Sequence, residues 1–400
     1  QSPLPALVKS QTKLYCLPIV GRKSTYNHLF TGSQGITMNT ETKTLDSALH
    51  MHLRQPGDDA IQTYYASMRR FWHPVLAADE LPNDTPVGVE LLEERLVLAR
   101  LNGAVVAMQD LCRHFQAQLS LGEIRTVAGH GQCLMCPYHG WSDSADGRCV
   151  EIPQLVADRH IPADAIVPSY FATERYGLIW VCLDNSPMFE LPIFPHVDEP
   201  VFLPGPLRKY PTWKASALRV IMAALDDTHG PWVHEGLVGD RNHPEPPEHK
   251  VRRDGRNLVI DIRMVQPDNP TIAENGDSTA KVVNLTTTVG IPNTIHFTIH
   301  AEGSERITVI WQAVCPIRYN ESLTFWGSSR NYDLDKPAYN DKFERMQDTL
   351  REQDRVIVES QRPWLLPPFW TKIELPLRPA DLPLIEYQRW LEEVGISTML

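Results

Sequence analysis

Short apolar runs separated by Gly, Pro and Asn dominate the chain from Phe71 to about Asp184. Segments such as VELLEERLVLARLNGAVVAMQD (89–110) and ERYGLIWVCLDN (174–185) cluster aliphatic and β-branched residues between turn-forming residues, a pattern typical of β-strands. Proline then becomes frequent from Pro187 to Pro211, which predicts a linker. The first part of the chain is therefore predicted to be an all-β module.

The pattern changes after this linker. Residues 213–234 follow helical spacing with a break near the end, strand-like runs such as TIHFTIHAEG and RITVIWQAVCPI lie between 258 and 326, and two helices are predicted at about 337–360 and 381–394. This order indicates an α+β fold in which an all-β domain precedes an antiparallel sheet covered by helices. We divide the chain into a tail and leading segment (1–64), an N-terminal domain (65–186) and a C-terminal domain (187–400).

The bulk properties narrow the function classes. The 400 residues carry a net charge of −11 without a block of Lys and Arg, which argues against nucleic acid or an anionic membrane as the main partner. No apolar run approaches the roughly 18 residues that span a bilayer. Seven cysteines, an odd number, and the lack of a signal peptide predict a reducing, cytoplasmic location. Residues 1–37 lack clear periodicity, and Met38 resembles a translation start, so we expect 1–37 to lie outside the folded unit.

Two Cys–His pairs, C-x-H at Cys112 and His114 and C-x-x-H at Cys136 and His139, carry the first chemical signal. Thiolates and imidazoles are good ligands for zinc or iron. A structural zinc site is the alternative, but a zinc finger usually pairs Cys with Cys and His with His. One residue of each type in each arm suits a Rieske 2Fe–2S centre, in which two thiolates hold one iron and two imidazoles the other.

The CPYHGW motif (136–141) closely resembles the Rieske family. The resemblance implies that Cys112 and Cys136 hold the inner iron and that His114 and His139 hold the outer one. Three departures from the family leave these ligands untouched. Phe115-Gln116 replaces the usual Arg-Gly, the gap between the two arms is longer than usual, and Ala117 and Tyr138 stand where respiratory Rieske proteins have a bracing disulfide. In lacking this disulfide, the chain resembles Rieske proteins of the oxygenase or ferredoxin type.

A second candidate metal site lies in ALDDTHGPWVH (224–234). His229 and His234 would point about 140° apart on a regular helix, but Gly230-Pro231 between them breaks the helical ladder and allows a kink. By themselves they could be two ordinary surface histidines. Rieske oxygenases carry D-x-x-H-x-x-x-x-H, which Asp226, His229 and His234 match. The family completes this site with a distant carboxylate for non-haem iron.

The helix at 341–358 offers that carboxylate. Phe343, Met346, Leu350 and Ile357 form an apolar stripe that includes Asp354, and a carboxylate on such a stripe is costly unless it is paired or bound to metal. We therefore predict Asp354 as the third ligand. The resemblance implies that Asp226 lies at a subunit boundary and relays electrons from the cluster of one chain to the iron of the next.

Residues 65–395 resemble short-chain Rieske oxygenases, such as dicamba O-demethylase, vanillate demethylase and saxitoxin-type enzymes. The resemblance implies a catalytic domain of the helix-grip type, one 2Fe–2S cluster and one mononuclear Fe(II) per chain, and a homotrimer. The resemblance also implies that electrons come from NAD(P)H through a flavin reductase and a ferredoxin. The lack of a convincing G-x-G-x-x-G or P-loop in the chain is consistent with a nicotinamide that binds elsewhere.

The implied reaction is O2-dependent N- or O-dealkylation or hydroxylation of a small aromatic or apolar compound. Cis-dihydroxylation of an aromatic ring is the rival reaction, and an electron carrier without oxygenase activity is the remote alternative. Six residues lie on strands that line the pocket in this family, and alternation sends only about half of any strand inward. These residues are His296, Phe297, His300, Trp311, Gln312 and Trp326.

Overall fold

The computed structural model describes residues 56–156, 159–239, 241–266 and 281–397. The predictions about residues 1–37 and Met38 lie outside these ranges. The helices are α1 (Asp58–Met68), α2 (Ala217–Leu225), α3 (Gly230–Val233), α4 (Pro337–Ser360) and α5 (Leu382–Glu393). Within the described residues, no helix is both long and apolar enough to cross a membrane.

The N-terminal half contains ten strands in two antiparallel sheets. They are β1 (His73–Ala77), β2 (Val87–Leu91), β3 (Glu94–Leu101), β4 (Ala104–Gln109), β5 (Glu123–Val127), β6 (Gly131–Met135), β7 (Ser142–Asp143), β8 (Cys149–Glu151), β9 (Ser169–Arg175) and β10 (Leu178–Cys182). One sheet has the order β1-β10-β9-β4-β3-β2 and the other β5-β6-β7-β8. The two Cys–His motifs lie in the loops that follow β4 and β6.

The C-terminal half is built on one antiparallel sheet. Its strands are β11 (Leu203–Pro204), β12 (Arg208–Lys209), β13 (Lys250–Asp254), β14 (Asn257–Gln266), β15 (Lys281–Gly290), β16 (Thr294–Ala301), β17 (Ile307–Arg318) and β18 (Glu321–Arg330). The order is β11-β18-β17-β16-β15-β14-β13, with β12 also on β18. The α+β prediction is confirmed. The proline-rich segment is more ordered than a plain linker, because β11 and β12 pair with β18.

Strand β17 explains how the two halves join. Nine successive positions of ITVIWQAVCPIR are buried, as expected for a strand covered on both faces. Helix α2 contacts this strand, and so do β1 and β2 of the N-terminal half. The turn after β2 continues the contact, since Leu92 N–H donates to Pro316 O at 2.8 Å and Glu93 N–H to Ile317 O at 2.8 Å. The two halves therefore share one apolar core.

Candidate metal centres and active-site cavity

The first Cys–His loop is closed by its own backbone. The amide of Gln116 donates to Cys112 O at 2.9 Å, and the amide of Cys112 donates to Ala117 O at 2.8 Å. The chain reverses at Gln116, whose φ is +57°. This left-handed conformation is one that glycine adopts without steric cost, which accounts for the glycine that the family usually has here.

The second loop repeats this construction. The amide of Gly140 donates to Cys136 O at 3.0 Å, and the amide of Cys136 donates to Trp141 O at 2.8 Å. Gly140 has a φ of +74° and takes the place that Gln116 has in the first loop. Each loop therefore fixes a cysteine at its start and presents a histidine two or three residues later.

The side chains of the two loops form a set suited to a metal cluster. Cys112 and Cys136 are each only 1% exposed, and the rings of His114 and His139 lie 4.6 Å apart between centroids. The Nδ1 atoms of both histidines are buried and have no hydrogen-bond partner among the described residues. Buried polar atoms without partners are rare in proteins. Two thiols and two unpartnered ring nitrogens fit the donor set of a Rieske cluster.

Electrostatics supports the same interpretation. Burial raises the pKa of the Cys112 thiol to about 12. A thiolate in this place therefore needs a positive charge beside it, and the iron of a cluster provides that charge. His114 also stacks on Trp141, with ring centroids 4.5 Å apart and planes inclined by 8°, which fixes the orientation of its imidazole.

The second candidate site lies where α2 ends and α3 begins. Helix α2 stops at Leu225, and α3 starts at Gly230-Pro231, because proline is favoured in the first turn of a helix and excluded from its interior. His229 and His234 thus flank the four-residue helix α3, and their Nε2 atoms approach to 3.1 Å. The break that the sequence predicts between the two histidines brings them together.

Asp354 reaches this pair from α4. Its Oδ1 lies 3.4 Å from His229 Nε2 and 2.9 Å from His234 Nε2, and the three ligand atoms lie within 4.8 Å of one another. Ligands about 2.1 Å from one ion and at right angles to each other would be about 3 Å apart. Two histidines and one carboxylate in this arrangement fit the facial set of a non-haem iron site.

A hydrogen bond to His234 and an ion-pair contact with His229 orient the two imidazoles from behind. His234 Nδ1 lies 2.8 Å from Gln353 Oε1, and His229 Nδ1 lies 3.6 Å from Asp226 Oδ2. Asp226 Oδ1 in turn accepts the amide and hydroxyl hydrogens of Thr228 at 2.8 and 2.7 Å. Such contacts direct the Nε2 lone pairs of both rings toward the metal position.

The charges at this site favour a cation. Burial alone would lower the pKa of His229, but Asp226 and Asp354 outweigh it and raise that pKa to about 10. Burial likewise opposes the ionised form of Asp354, yet its hydrogen bonds with His229 and His234 lower the carboxyl pKa to about 2. Without metal, a protonated His229 therefore holds the positive charge that a metal ion would bring.

A cavity of about 180 Å³ opens beside the three ligands. Its wall contains His229, His234 and Asp354 and is otherwise mostly apolar, with Ile260, Ile262, Leu285, Phe297, Ile310 and Leu350 among the lining residues. Thr287, Gln347 and Arg351 supply polar groups. A dry cavity of about 150 Å³ holds benzene, so this one has room for a small ring compound beside the metal position.

The predicted pocket residues are placed differently. Phe297 lines the cavity, while the other five predicted residues, His296, His300, Trp311, Gln312 and Trp326, are not among its lining residues. Gln312 and Trp326 lie behind the wall, where both contact Arg351. Side chains alternate along β16, so His296 points away from the cavity and contacts Phe194, with ring centroids 6.3 Å apart. Trp311 stacks on Phe194 at 4.7 Å.

Sequence reasoning missed three residues on α4. Gln353 orients a histidine, and Gln347 and Arg351 line the cavity. Arg351 and Gln347 precede Asp354 by three and seven residues, which places all three on one helical face. The apolar stripe that identified Asp354 could have pointed to them as well.

Comparison with known proteins agrees with this construction. Residues 71–170 match the Rieske 2Fe–2S domain family, and residues 213–395 match the vanillate O-demethylase oxygenase C-terminal domain family. Methylxanthine N1-demethylase NdmA from Pseudomonas putida is 31% identical over 333 residues, which cover 82% of this chain and 89% of that protein. The chain belongs to the Rieske oxygenases. Methylxanthine N3-demethylase NdmB from the same organism is 28% identical to this Rieske oxygenase over 343 residues, covering 83% and 91% of the two chains.

Solved structures give the same picture. NdmA with caffeine superposes on this Rieske oxygenase with a TM-score of 0.71 and 28% identity, covering 83% of this chain and 92% of that one. Dicamba monooxygenase bound to 3,6-dichlorosalicylic acid shares the fold, with a TM-score of 0.68 and 21% identity over 82% and 97% of the two chains. The predictions of fold, enzyme class and a Rieske 2Fe–2S domain are confirmed; the individual ligands stay predictions that the geometry supports.

Proposed function

We propose that this Rieske oxygenase is the terminal component of a system that removes an alkyl group from nitrogen or oxygen of a small aromatic or apolar compound. The observation that carries the proposal is the position of His229, His234 and Asp354 in the wall of an apolar cavity. Two curated relatives are named as N-demethylases, which favours N-methyl groups as the first substrates to test.

The residues of the site would divide the work. His229, His234 and Asp354 hold an iron ion, which when bound supplies the reductive activation of O2 needed to oxidise a C–H bond. Gln353 and Asp226 keep the two imidazoles aligned. The aliphatic wall of the cavity holds the alkyl group close to the metal position and excludes water.

Dealkylation then follows from the chemistry of the hydroxylated substrate. One oxygen atom of O2 enters a C–H bond next to nitrogen or oxygen, and the other leaves as water, which consumes two electrons and two protons. The resulting hemiaminal or hemiacetal loses its C–N or C–O bond and yields an amine or alcohol together with an aldehyde. An N-methyl substrate would therefore release formaldehyde.

The electrons would come from NAD(P)H through a flavin reductase and a ferredoxin to a cluster held by Cys112, His114, Cys136 and His139. We propose that this cluster serves the iron site of a neighbouring chain in a homotrimer, with Asp226 as the bridge. The histidine edge of the cluster loops exposes the aromatic rings of Phe115 and Tyr138, at 68% and 64%. Exposed apolar groups around a redox edge suit a protein contact.

On the other side, the Asp226 side chain is 27% exposed and touches His229 from the direction of the surface. A depression lined by Met222, Ala223 and Val233 opens there, and it shares Asp226, His229 and Asp354 with the apolar cavity. These three shared residues would thus be reached by a donor from one side and by the substrate from the other. The Asp226→Asn variant is expected to slow reoxidation of the cluster during turnover while the iron content stays the same.

The proposed function is tested on anaerobically purified protein. About three irons and two acid-labile sulfides per chain, with a Rieske-type EPR signal after dithionite reduction, are expected. Turnover of N-methyl and O-methyl aromatics with a surrogate ferredoxin should release formaldehyde. A cis-diol product would overturn dealkylation in favour of ring dihydroxylation. Only two irons per chain after reloading with Fe(II) would show that the proposed mononuclear site does not bind iron.

A further inference from the structure

A buried arginine interrupts the apolar wall of the cavity. Arg351 is 8% exposed and lies one helical turn before Asp354 on α4, so its Cα is about 4.5 Å along the helix axis from that of the ligand. Its Nη1 donates to Gln312 Oε1 at 2.9 Å. Its Nε is buried and has no hydrogen-bond partner among the described residues.

The charge of Arg351 is not paired at contact distance, although Asp354 and Asp348 attract it from farther away and the Tyr210 hydroxyl faces it. In the described part of the chain, no carboxylate oxygen lies within 4.0 Å of its guanidinium group, the limit within which ion pairs are counted. The guanidinium carbon lies 5.0 Å from the ring centre of Trp326 and 5.6 Å from that of Tyr210. These cation–π contacts offset part of the cost of burial, but a buried charge is normally paired and fully hydrogen-bonded.

A second polar group lies on the same helical face. Gln347 is 6% exposed and lines the cavity, and among the described residues its side-chain amide has no hydrogen bond. Residues four apart on a helix are neighbours, so the amide of Gln347 lies next to Arg351 on the side away from Asp354. Two polar groups of the cavity, Gln347 and Arg351, thus follow one another along α4 with the candidate ligand Asp354 at one end, while Thr287 lies on β15.

We propose, on the basis of the function proposed above, that Arg351 is a substrate-recognition residue that donates hydrogen bonds to an oxygen acceptor on the aromatic substrate. The acceptor is a carbonyl or carboxylate oxygen on the part of the ring remote from the alkyl group. A substrate whose alkyl group lies beside Asp354 would place that oxygen about one helical turn away, next to the guanidinium group. Charge-assisted hydrogen bonds of this kind are about twice as strong as neutral ones.

The experiment measures binding rather than turnover. Three compounds of similar size are titrated anaerobically into the iron-loaded holoenzyme by calorimetry: N,N-dimethylaniline, 4-(dimethylamino)benzaldehyde and 4-(dimethylamino)benzoate. We expect the wild type to bind one or both acceptor compounds at least tenfold more tightly than dimethylaniline. Arg351→Met should abolish this preference, a loss of about 10- to 100-fold, and leave the affinity for dimethylaniline unchanged or higher.

Two further variants separate recognition from a structural role. Arg351→Lys keeps a donor and a charge and is expected to retain part of the preference. Arg355→Met is the matched control, because Arg355 lies on the same helix, pairs with Glu352 and Glu359 and does not line the cavity. It should bind all three compounds as the wild type does. A bracing arginine would weaken all ligands equally when replaced, whereas a recognition residue changes the selectivity.

The outcomes distinguish this inference from the proposed function. Loss confined to the benzoate identifies an anion site, and loss for both acceptor compounds identifies a general oxygen site. A wild type that binds dimethylaniline as tightly as the other two, or an Arg351→Met variant with unchanged selectivity, overturns the role of Arg351. Formaldehyde release from dimethylaniline would in that case leave the dealkylation proposal intact.

Discussion

Around Cys112 and Cys136 hydrogen bonds between main-chain atoms position the candidate ligands. Around His229 and His234 the break between α2 and α3 brings the ligands together, and other side chains orient them. Each cluster loop is closed by two hydrogen bonds between main-chain atoms. At the helix site the orienting contacts come from Gln353 and Asp226. Apart from Trp141, which stacks on His114, a non-ligand side chain near the cluster loops should therefore be replaceable with little effect. A substitution near the helix site should change the affinity of that site for metal.

The two sites also differ in how exposed their candidate ligands are. Both thiols of the cluster loops are almost fully buried, so no small molecule has direct access to them. At the helix site the side chains of His229 and Asp354 are 23% and 20% exposed and face a cavity. An open coordination site beside a cavity is what a catalytic metal needs. Under the proposed function, electron transfer and substrate chemistry would thus be separated within one chain.

The strongest test of this separation removes one ligand at each site. Asp354→Ala is expected to lose the mononuclear iron and to keep two irons and two sulfides. Product formation should fall by more than about 100-fold, since loss of a hydrogen bond to a metal ligand alone costs about 10- to 100-fold. Cys136→Ala is expected to lose the cluster iron and sulfide while it still binds one Fe(II) on reloading. Iron and sulfide analysis with EPR measures both.

The same two variants show whether the two metal sites are independent of each other. Loss of sulfide from Asp354→Ala would mean that the two sites form one cooperative unit. Circular dichroism of each variant establishes that the fold is retained, and Glu352→Gln, an exposed neighbour on α4, provides the control.

The next largest effect is expected at the contact between the N-terminal and C-terminal halves of the chain. His73 is fully buried, its Nε2 lies 2.9 Å from Met68 O, and its Nδ1 lies 2.9 Å from Asn293 Nδ2. Burial lowers the pKa of His73 to about 4, so below pH 6.5 the unfolded chain binds a proton that the folded chain does not. The free energy of unfolding should fall by about 2.5 kcal/mol between pH 7 and 4.5 from this residue alone.

Urea titrations of the wild type and His73→Gln measure this contribution as a difference. The variant should show a shallower dependence of the unfolding free energy on pH in that window, and an identical slope for both proteins would contradict the assignment. Since the regions share one core, cluster absorbance and tryptophan fluorescence should be lost together. Separate transitions would show that the two halves unfold independently.

The sequence alone could select the candidate cluster ligands, because each Cys–His motif is contained within a few residues of one loop. The sequence also predicted the break at Gly230-Pro231, since proline disrupts the hydrogen bonds of a helix interior. The prediction of Asp354 needed both the apolar stripe on its helix and the resemblance to the family, because this residue lies 120 residues beyond His234.

The rest depended on long-range packing. Strand alternation alone does not say which face of β16 or β17 meets the cavity, so His296 and Trp311 were selected with Phe297 although they face the other way. Helix α1 was not predicted, because its apolar residues Tyr64, Tyr65 and Met68 are few and are buried by distant parts of the chain. The order of the proline-rich segment likewise comes from its pairing with β18.

A single hydrogen bond gives a narrower test of side-chain control. Gln353→Leu removes the acceptor behind His234 Nδ1 and is expected to weaken Fe(II) binding by about 10- to 100-fold, without a change in sulfide or in the Rieske EPR signal. Gln353→Glu restores an acceptor and should recover the affinity. Thr349→Ala, one turn earlier on the exposed face of α4, is the control. Equal affinity for iron in Gln353→Leu and wild type would assign the orientation of His234 to packing instead.

The smallest expected effect tests backbone control at the cluster loops. Gln116 and Gly140 occupy equivalent left-handed positions, and a side chain there costs about 1 kcal/mol. Gln116→Gly should raise the free energy of unfolding by roughly 0.5 kcal/mol, because relief of the strain is offset in part by the greater entropy of unfolded glycine. Gly140→Ala should lower it by about 1–2 kcal/mol, since its Cβ would also lie 3.2 Å from Pro153 Cγ. Thermal unfolding followed at the cluster absorbance measures both. If the two substitutions change the free energy of unfolding in opposite directions and leave the sulfide content unchanged, the loops hold their ligands through the main chain. A change in the same direction would show that the two loops are not equivalent.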